Sequence, residues 1–327
     1  MSEPNQTRIA FIGLGTMGFP MAHQLVRAGH PVTVVPHVSM TAAHRLAEDG
    51  AAIATTPADA ARDADVVITM LPSATEVRAV LFEESGATGT ARPGTLVVDM
   101  STIGPKAARS IARRLGEMGL AFMDAPVSGG PARAHNGTLT TIVGADEDTL
   151  ATARPVLAHM ASTVFHAGPV GAGQAAKICN NLLVAACMLA NAEALTLGTA
   201  SGVDPHTLRE IILASTGANW QLEHIVPQTI LANDFDPRFA LSLLLKDLDV
   251  AGEVAEDVAS PFHVGGLARQ MFGRAEASFG GRTDFSAVVK LYQEALGDGP
   301  RDRATEAATG RSPATNDQPH RQETEQR

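Results

Sequence analysis

Six residues near the start of the chain, Gly13-Leu14-Gly15-Thr16-Met17-Gly18, constrain its fold more than any others. They follow a short apolar run, Arg8-Ile9-Ala10-Phe11-Ile12, and open a segment of helical character that reaches about Ala28. A strand that turns over glycines into a helix is a dinucleotide-binding turn. The first glycine permits the tight turn, the second lets the backbone approach a pyrophosphate, and the third lets helix and strand pack closely. The free N–H groups at the helix start then face the phosphates. Taken alone, such a glycine spacing is a weak signal that a structural turn would share.

The strand-like runs beyond the turn give it weight. Val32-Thr33-Val34-Val35 is β-branched, and Asp65 to Met70, Thr95 to Met100, Ala121 to Ala125 and Thr138 to Val143 continue the series. Helical segments separate them, which predicts a mainly parallel, doubly wound sheet. The nearly continuous apolar character of these runs fits a sheet covered on both faces. After about His166 the pattern changes. Gly168-Pro169-Val170-Gly171 breaks the chain, and helical periods run over 174–201, 205–213, 242–259 and 261–277. The expected architecture is an α/β Rossmann-type domain over residues 1–167, an all-α domain over 168–296, and a tail over 297–327. That tail is low in large apolar residues and expected to be disordered: Arg301 to Arg327 holds five basic and five acidic residues.

Composition narrows the class of function. A net charge of −10 without any Lys/Arg run argues against binding nucleic acid through bulk charge. The most apolar stretch, Ile178 to Leu197, is interrupted by Asn180, Asn181, Asn191 and Glu193 and reads as a buried helix rather than a membrane span. Cys179 and Cys187 stand eight residues apart on one predicted helix, about 12 Å by helical rise, too far for a disulfide. They read as reduced core residues of a cytoplasmic protein.

Four further features carry chemistry. Lys177 lies in Gly171-Ala172-Gly173-Gln174-Ala175-Ala176-Lys177-Ile178-Cys179-Asn180-Asn181, so an amine and two amides share the region of one helical face at the predicted domain junction. A lysine there can carry a proton; the plain alternative is a surface charge. Asp124-Ala125-Pro126-Val127-Ser128-Gly129-Gly130 ends a strand in a loop whose N–H groups and Ser128 hydroxyl can wrap a carboxylate, or which is an ordinary glycine loop. Lys246-Asp247-Leu248 brings a second amine on a helix, either toward the cleft or as a surface ion pair. The expected second strand ends Val35-Pro36-His37-Val38-Ser39, without the acid that would bind an adenosine ribose. That segment therefore does not choose between NAD and NADP; His37 or Ser39 either contacts a 2′-phosphate or faces solvent.

Together these segments resemble the β-hydroxyacid dehydrogenases, the 3-hydroxyisobutyrate dehydrogenase family. The resemblance runs from about Arg8 to Val289. It includes Phe11 to Ala22, Met70-Leu71-Pro72, Asp99-Met100-Ser101-Thr102, the Ser128 loop, the Lys177 run, Lys246-Asp247-Leu248 and Asp284-Phe285-Ser286-Ala287. It implies Lys177 as acid/base, and Ser128, Gly129, Gly130 and Asn181 as holders of the substrate carboxylate. It also implies a cofactor site formed by Gly13, Leu14, Gly15, Thr16, Met17, Gly18, Leu71, Pro72, Thr102 and Lys246. The implied cofactor is NAD(H) or NADP(H), with no metal, and the implied reaction interconverts a short 3-hydroxy acid and its semialdehyde. The resemblance further implies association through the helical domain, commonly as dimers or tetramers.

The substrate pocket is less legible. Pro131 to Gly137, with Arg133 and His135, resembles the tartronate semialdehyde reductase branch, whereas Ser215 to Trp220 resembles the 3-hydroxyisobutyrate branch. Trp220 reads either as a pocket wall or as core packing. Two rival readings share the architecture. An imine reductase usually lacks the lysine that Lys177 supplies, and a catalytically silent dinucleotide scaffold would not need an intact lysine and anion loop.

Overall fold

The computed structural model describes residues 6–36 and 40–296. Residues 37–39, with His37 and Ser39, and the 297–327 tail lie outside the described residues. The strands are β1 (Ile9–Ile12), β2 (Val32–Val35), β3 (Ala52–Ile53), β4 (Val66–Thr69), β5 (Leu96–Asp99), β6 (Ala121–Asp124), β7 (Val127–Ser128), β8 (Leu139–Gly144) and β9 (Ala161–Gly168). The helices in the first half are α1 (Gly18–Arg27), α2 (Met40–Glu48), α3 (Pro57–Ala61), α4 (Ala74–Phe82), α5 (Pro105–Glu117), α6 (Gly130–His135) and α7 (Glu147–Leu157). Those in the second half are α8 (Ala172–Ala200), α9 (Pro205–Leu213), α10 (Leu241–Asp257), α11 (His263–Phe279) and α12 (Val289–Leu296).

Side-chain alternation builds the first half. Ile9 and Phe11 of β1 enter one apolar layer and Ala10 and Ile12 the other, so every residue of this strand is buried. The sheet order is β3-β2-β1-β4-β5-β6-β8-β7, with β9 paired to β8. From β3 through β6 all neighbours are parallel. This is the doubly wound order, and its reversal between β1 and β4 opens a crevice at the carboxyl ends of the strands. β8 departs from the parallel pattern: it runs antiparallel to β6 and β7 and parallel to β9. One row, Ile12, Thr69, Asp99, Asp124 and Gly144, crosses the carboxyl edge in register.

In the second half, Ala185, Met188, Leu189 and Ala192 of α8 pack with Leu241, Leu244 and Leu248 of α10 and Ala268 and Phe272 of α11. The Asp284-Phe285-Ser286 segment is structural. The buried Asp284 carboxylate accepts from the N–H groups of Arg238, Phe239 and Ser286 and from the Ser286 hydroxyl, fixing the turn that leads into α10.

Two expectations require correction here. The cysteines are free, but they are not core residues: Cys179 is exposed and Cys187 half-buried. The reading of Ile178 to Leu197 as a buried helix holds for one face only. By length and composition α8 qualifies for crossing a membrane, and 39% of its most apolar window is buried. Leu183 and Leu197 stay open to solvent, on a face that no other described part of the chain covers.

Candidate active site

The Gly13, Leu71, Ser101, Ser128, Lys177 and Lys246 motifs bear on the carboxyl edge of the sheet or on the two helices that approach it. After β1, Gly13 adopts φ +106°, and a Cβ there would sit 2.3 Å from the Met70 carbonyl oxygen. A Cβ at Gly18 would lie 1.8 Å from the Gly13 carbonyl oxygen. Both are therefore demanded by the fold. Gly15 differs: a Cβ there would meet nothing within 4 Å, so its missing side chain leaves room above the turn rather than relieving a clash. No side chain caps α1; within its first turn the Phe19 N–H donates to the Gly15 carbonyl at 3.1 Å and Pro20 has no N–H, which leaves the Gly18 N–H at the start without a side-chain acceptor. Open space over Gly15 beside an uncapped helix start fits a dinucleotide pyrophosphate, with Leu14, Thr16 and Met17 completing the turn.

The neighbouring loops are tied to this turn. The Leu71 N–H donates to the Ser101 hydroxyl at 2.9 Å, and Leu71 Cδ2 lies 2.9 Å from where a Gly13 Cβ would stand. Pro72 comes next, leading to the Ser73 cap of α4. Thr102 lies one residue beyond Ser101, and its carbonyl accepts a hydrogen bond from Lys246 Nζ at 2.5 Å.

The helix bearing Lys177 begins against the sheet. Asp124 Oδ1 accepts from the Gly171 N–H at 2.6 Å and Oδ2 from the Gln174 N–H at 2.8 Å, so the end of β6 caps α8. A Cβ at Gly173 would lie 2.4 Å from the Ile142 carbonyl oxygen, which shows how closely α8 rests on β8. Ser128 pairs with Thr140 of the same strand, so the glycine loop and α8 both lean on β8. Gly129 and Gly130 have φ of +129° and +69°, values that favour glycine, and no side chain caps α6.

Lys177 is buried, and among the described residues its amine has no hydrogen-bond partner. Burial pushes its pKa down from 10.5 to about 8; Asp247 opposes this shift and Lys246 adds to it. Around it runs a polar chain. Asn180 Nδ2 donates to Asn181 Oδ1 at 3.0 Å, and Asn181 Nδ2 donates to Asp247 Oδ2 at 2.5 Å. Asp247 Oδ1 lies 2.8 Å from Lys246 Nζ, an ion pair. The structure thus brings Lys177, Asn181, Lys246 and Thr102 together. It also commits both ends of the Asn181 amide to neighbouring side chains. The Lys246–Asp247 pair is not a surface ion pair, since Asp247 is buried.

Three buried groups of the site escaped the sequence reading: Asp247, Asp124 and Gln174. Asp247 adjoins a lysine already singled out, and Gln174 stands three residues before Lys177, so helical spacing was the available signal. Asp99 is fully buried. One of its oxygens accepts from Thr69 Oγ1 and the Ser101 N–H, and the other has no partner among the described residues. Burial lifts its pKa to about 6, with Asp124 adding to the shift. Trp220 is not core packing: it is 51% exposed and tilts against His224. Arg133 and His135 are exposed, with the Arg133 stem lying over Gly129. No cluster of three metal-ligating side chains occurs among the described residues.

Comparison with known proteins agrees with this arrangement. Residues 8–168 match the family described as the NAD binding domain of 6-phosphogluconate dehydrogenase. Residues 171–292 match the NAD-binding domain of NADP-dependent 3-hydroxyisobutyrate dehydrogenase. An NAD-dependent L-serine dehydrogenase from Pseudomonas aeruginosa is 42% identical over 296 residues, covering 89% of this chain and 99% of the relative. The Mycobacterium tuberculosis 3-hydroxyisobutyrate dehydrogenase solved with L-serine superposes with a TM-score of 0.80 at 39% identity, covering 88% of this chain and 99% of that one. An imine reductase from Pseudomonas sp., 18% identical with a TM-score of 0.57 and covering 88% of this chain and 99% of its own, shares the fold alone. On these matches the chain belongs to the 3-hydroxyisobutyrate dehydrogenase family of β-hydroxyacid dehydrogenases.

Proposed function

We propose that the chain is an NAD(P)-dependent dehydrogenase in which Lys177 moves the proton at the 3-hydroxyl of a short hydroxy acid of the L-serine or 3-hydroxyisobutyrate kind. One observation carries the reading: a buried amine with no hydrogen-bond partner among the described residues, on the helix that begins at the carboxyl edge of the sheet and beside Lys246, which holds the Thr102 carbonyl of the 101–104 loop, the nicotinamide-side loop in this reading. The turn of residues 13–18 with Leu71, Pro72, Thr102 and Lys246 would hold NAD(P), which would supply the hydride acceptor in oxidation and the hydride donor in reduction. The protein does the rest. Ser128 and the N–H groups of Gly129 and Gly130 hold the carboxylate. The neutral Lys177 amine takes the hydroxyl proton in oxidation, and the ammonium donates it in reduction. Asp247 keeps that ammonium tolerable, and Lys246 limits its stability, so both forms of Lys177 are accessible near neutral pH. Asn181 holds Asp247 in place, which gives it a role beside the carboxylate rather than necessarily on it.

Oxidation of L-serine and of 3-hydroxyisobutyrate, each with NAD and NADP, tests this reading. With the best pair, oxidation should rise with pH through about 8, and reduction of the aldehyde should fall over the same range. Lys177→Ala should abolish turnover while leaving cofactor affinity within a few-fold. Turnover of that variant near the wild-type rate would refute the assignment.

We further propose that the enzyme is a homodimer or homotetramer joined through the helical domain. Ala176, Cys179, Leu183, Ala190, Ala194 and Leu197 form an exposed, uncharged stripe along α8. A helix apolar on both faces calls for a second apolar partner, and a second copy of this chain supplies one without a membrane. Two free thiols support a reducing, cytoplasmic setting.

A further inference from the structure

We propose that Gln174 is a positioning residue that sets the distance between the nicotinamide-side loop and the Lys177 amine. This rests on the acid/base role given to Lys177. The Gln174 side chain is fully buried and spends its whole amide on one loop. Its Oε1 accepts from the Ile103 N–H at 2.9 Å and the Gly104 N–H at 3.1 Å, and its Nε2 donates to the Ser101 carbonyl at 2.8 Å. Three backbone groups of 101–104 thus answer to one side chain, and that side chain stands one turn before Lys177 on the same helix.

The amide is held from behind as well. The Gln174 N–H donates to Asp124, which also binds the Gly171 N–H, so the end of β6 fixes the helix turn from which the side chain leaves. On the far side of the loop, Lys246 Nζ reaches the Thr102 carbonyl. The loop is therefore clamped by α8 at 101, 103 and 104 and by α10 at 102. A proton carrier on α8 and a loop bolted to α8 move together. The spacing between that loop and the proton carrier is thereby fixed, which is the geometric condition for losing proton and hydride together.

The test is Gln174→Met, which keeps the packing volume and removes all three bonds, with Gln174→Glu as a second variant that keeps only the two acceptor bonds. L-serine or 3-hydroxyisobutyrate deuterated at carbon 3 is oxidised by the full-length enzyme, beside the wild type and Lys177→Met. Gln174→Met should lower kcat about 100-fold, the usual cost of roughly 1 Å of misplacement, with KM and cofactor Kd changed less than about threefold. Its deuterium isotope effect on kcat should exceed that of the wild type, because hydride transfer becomes slower than product release. Gln174→Glu should fall between the two. Wild-type kcat in Gln174→Met, or a loss matched by lost active-site titre with an unchanged isotope effect, would overturn the clamp. If Lys177→Met is inactive while Gln174→Met is normal, the clamp fails and the acid/base assignment stands.

Discussion

A lysine amine held in the protein without a hydrogen bond is destabilising, and its titration gives the size of that cost. The Lys177 pKa drops from 10.5 to about 8 on folding, so the unfolded chain holds this proton more tightly than the native one. Stability from the group is fully present above pH 10.5 and is lost as pH falls through about 8. At neutral pH the whole penalty applies, about 3 kcal/mol at roughly 1.4 kcal/mol per unit. Lys177→Met, which keeps the stem and removes the charge, should therefore be more stable than the wild type at pH 7 by up to that amount, and the gain should vanish by pH 10.5. Urea unfolding at the two pH values measures it. Equal stability at pH 7 would mean that the amine is solvated, and its depressed pKa would lose its cause. The same charge accounts for why Asp247 is worth burying beside it: a carboxylate there limits the shift and keeps the ammonium available as an acid.

At the scale of elements, the β1–α1 turn separates two uses of glycine. Gly13 and Gly18 are required by sterics inside the protein, whereas Gly15 faces empty space. Gly15→Val should thus unfold within about 1 kcal/mol of the wild type, yet weaken NAD(P) binding at least about tenfold by occupying the room a phosphate needs. Calorimetric titration with each dinucleotide, alongside a thermal melt, checks both halves; unchanged affinity would remove Gly15 from the cofactor site. This turn was legible because sequence spacing and strand context coincide there. β1, β2, β4, β5 and β6 were legible for a related reason: each is an apolar run buried on both faces. β8 was read from the alternation over Thr138 to Val143, whereas β3, β7 and β9 were not legible. β3 and β7 are two residues long, too short for any periodicity, and β9 is largely exposed, with Phe165 open to solvent. Its pairing to β8 comes from the backbone and leaves no apolar pattern. Lys177 could be found from its own spacing and Gln174 shares its helical face, but the loop that Gln174 binds and the strand end that caps the helix could not be connected to them. Their bonds link residues 70 to 73 and 47 to 50 positions apart, and a contact between strand end and helix start carries no local signature.

For the whole molecule, the open question of α8 is one of solvent. One face of this helix packs on α10 and α11, and the other presents Leu183 and Leu197 with small residues between them. Other exposed apolar side chains lie on the same half of the chain: Ile211 on α9 and Val264 and Leu267 on α11. Burying a leucine contributes about 1.5–3 kcal/mol, so a contact that covers several of them can hold two copies together, and small residues between the leucines allow two helices to approach closely. The proposed assembly predicts that the wild type sediments as a dimer or larger species at micromolar concentration, in aqueous buffer without detergent. Leu183→Lys with Leu197→Lys should shift it to a smaller species. Cys179 lies on the same stripe and so reports independently. Its reaction with a bulky maleimide should be slow in the wild type and fast in the double variant. A wild type that sediments as a monomer with a reactive Cys179 would leave the face uncovered and refute the assembly. A wild type that requires detergent would point instead to lipid, for which the length and apolar composition of α8 already suffice.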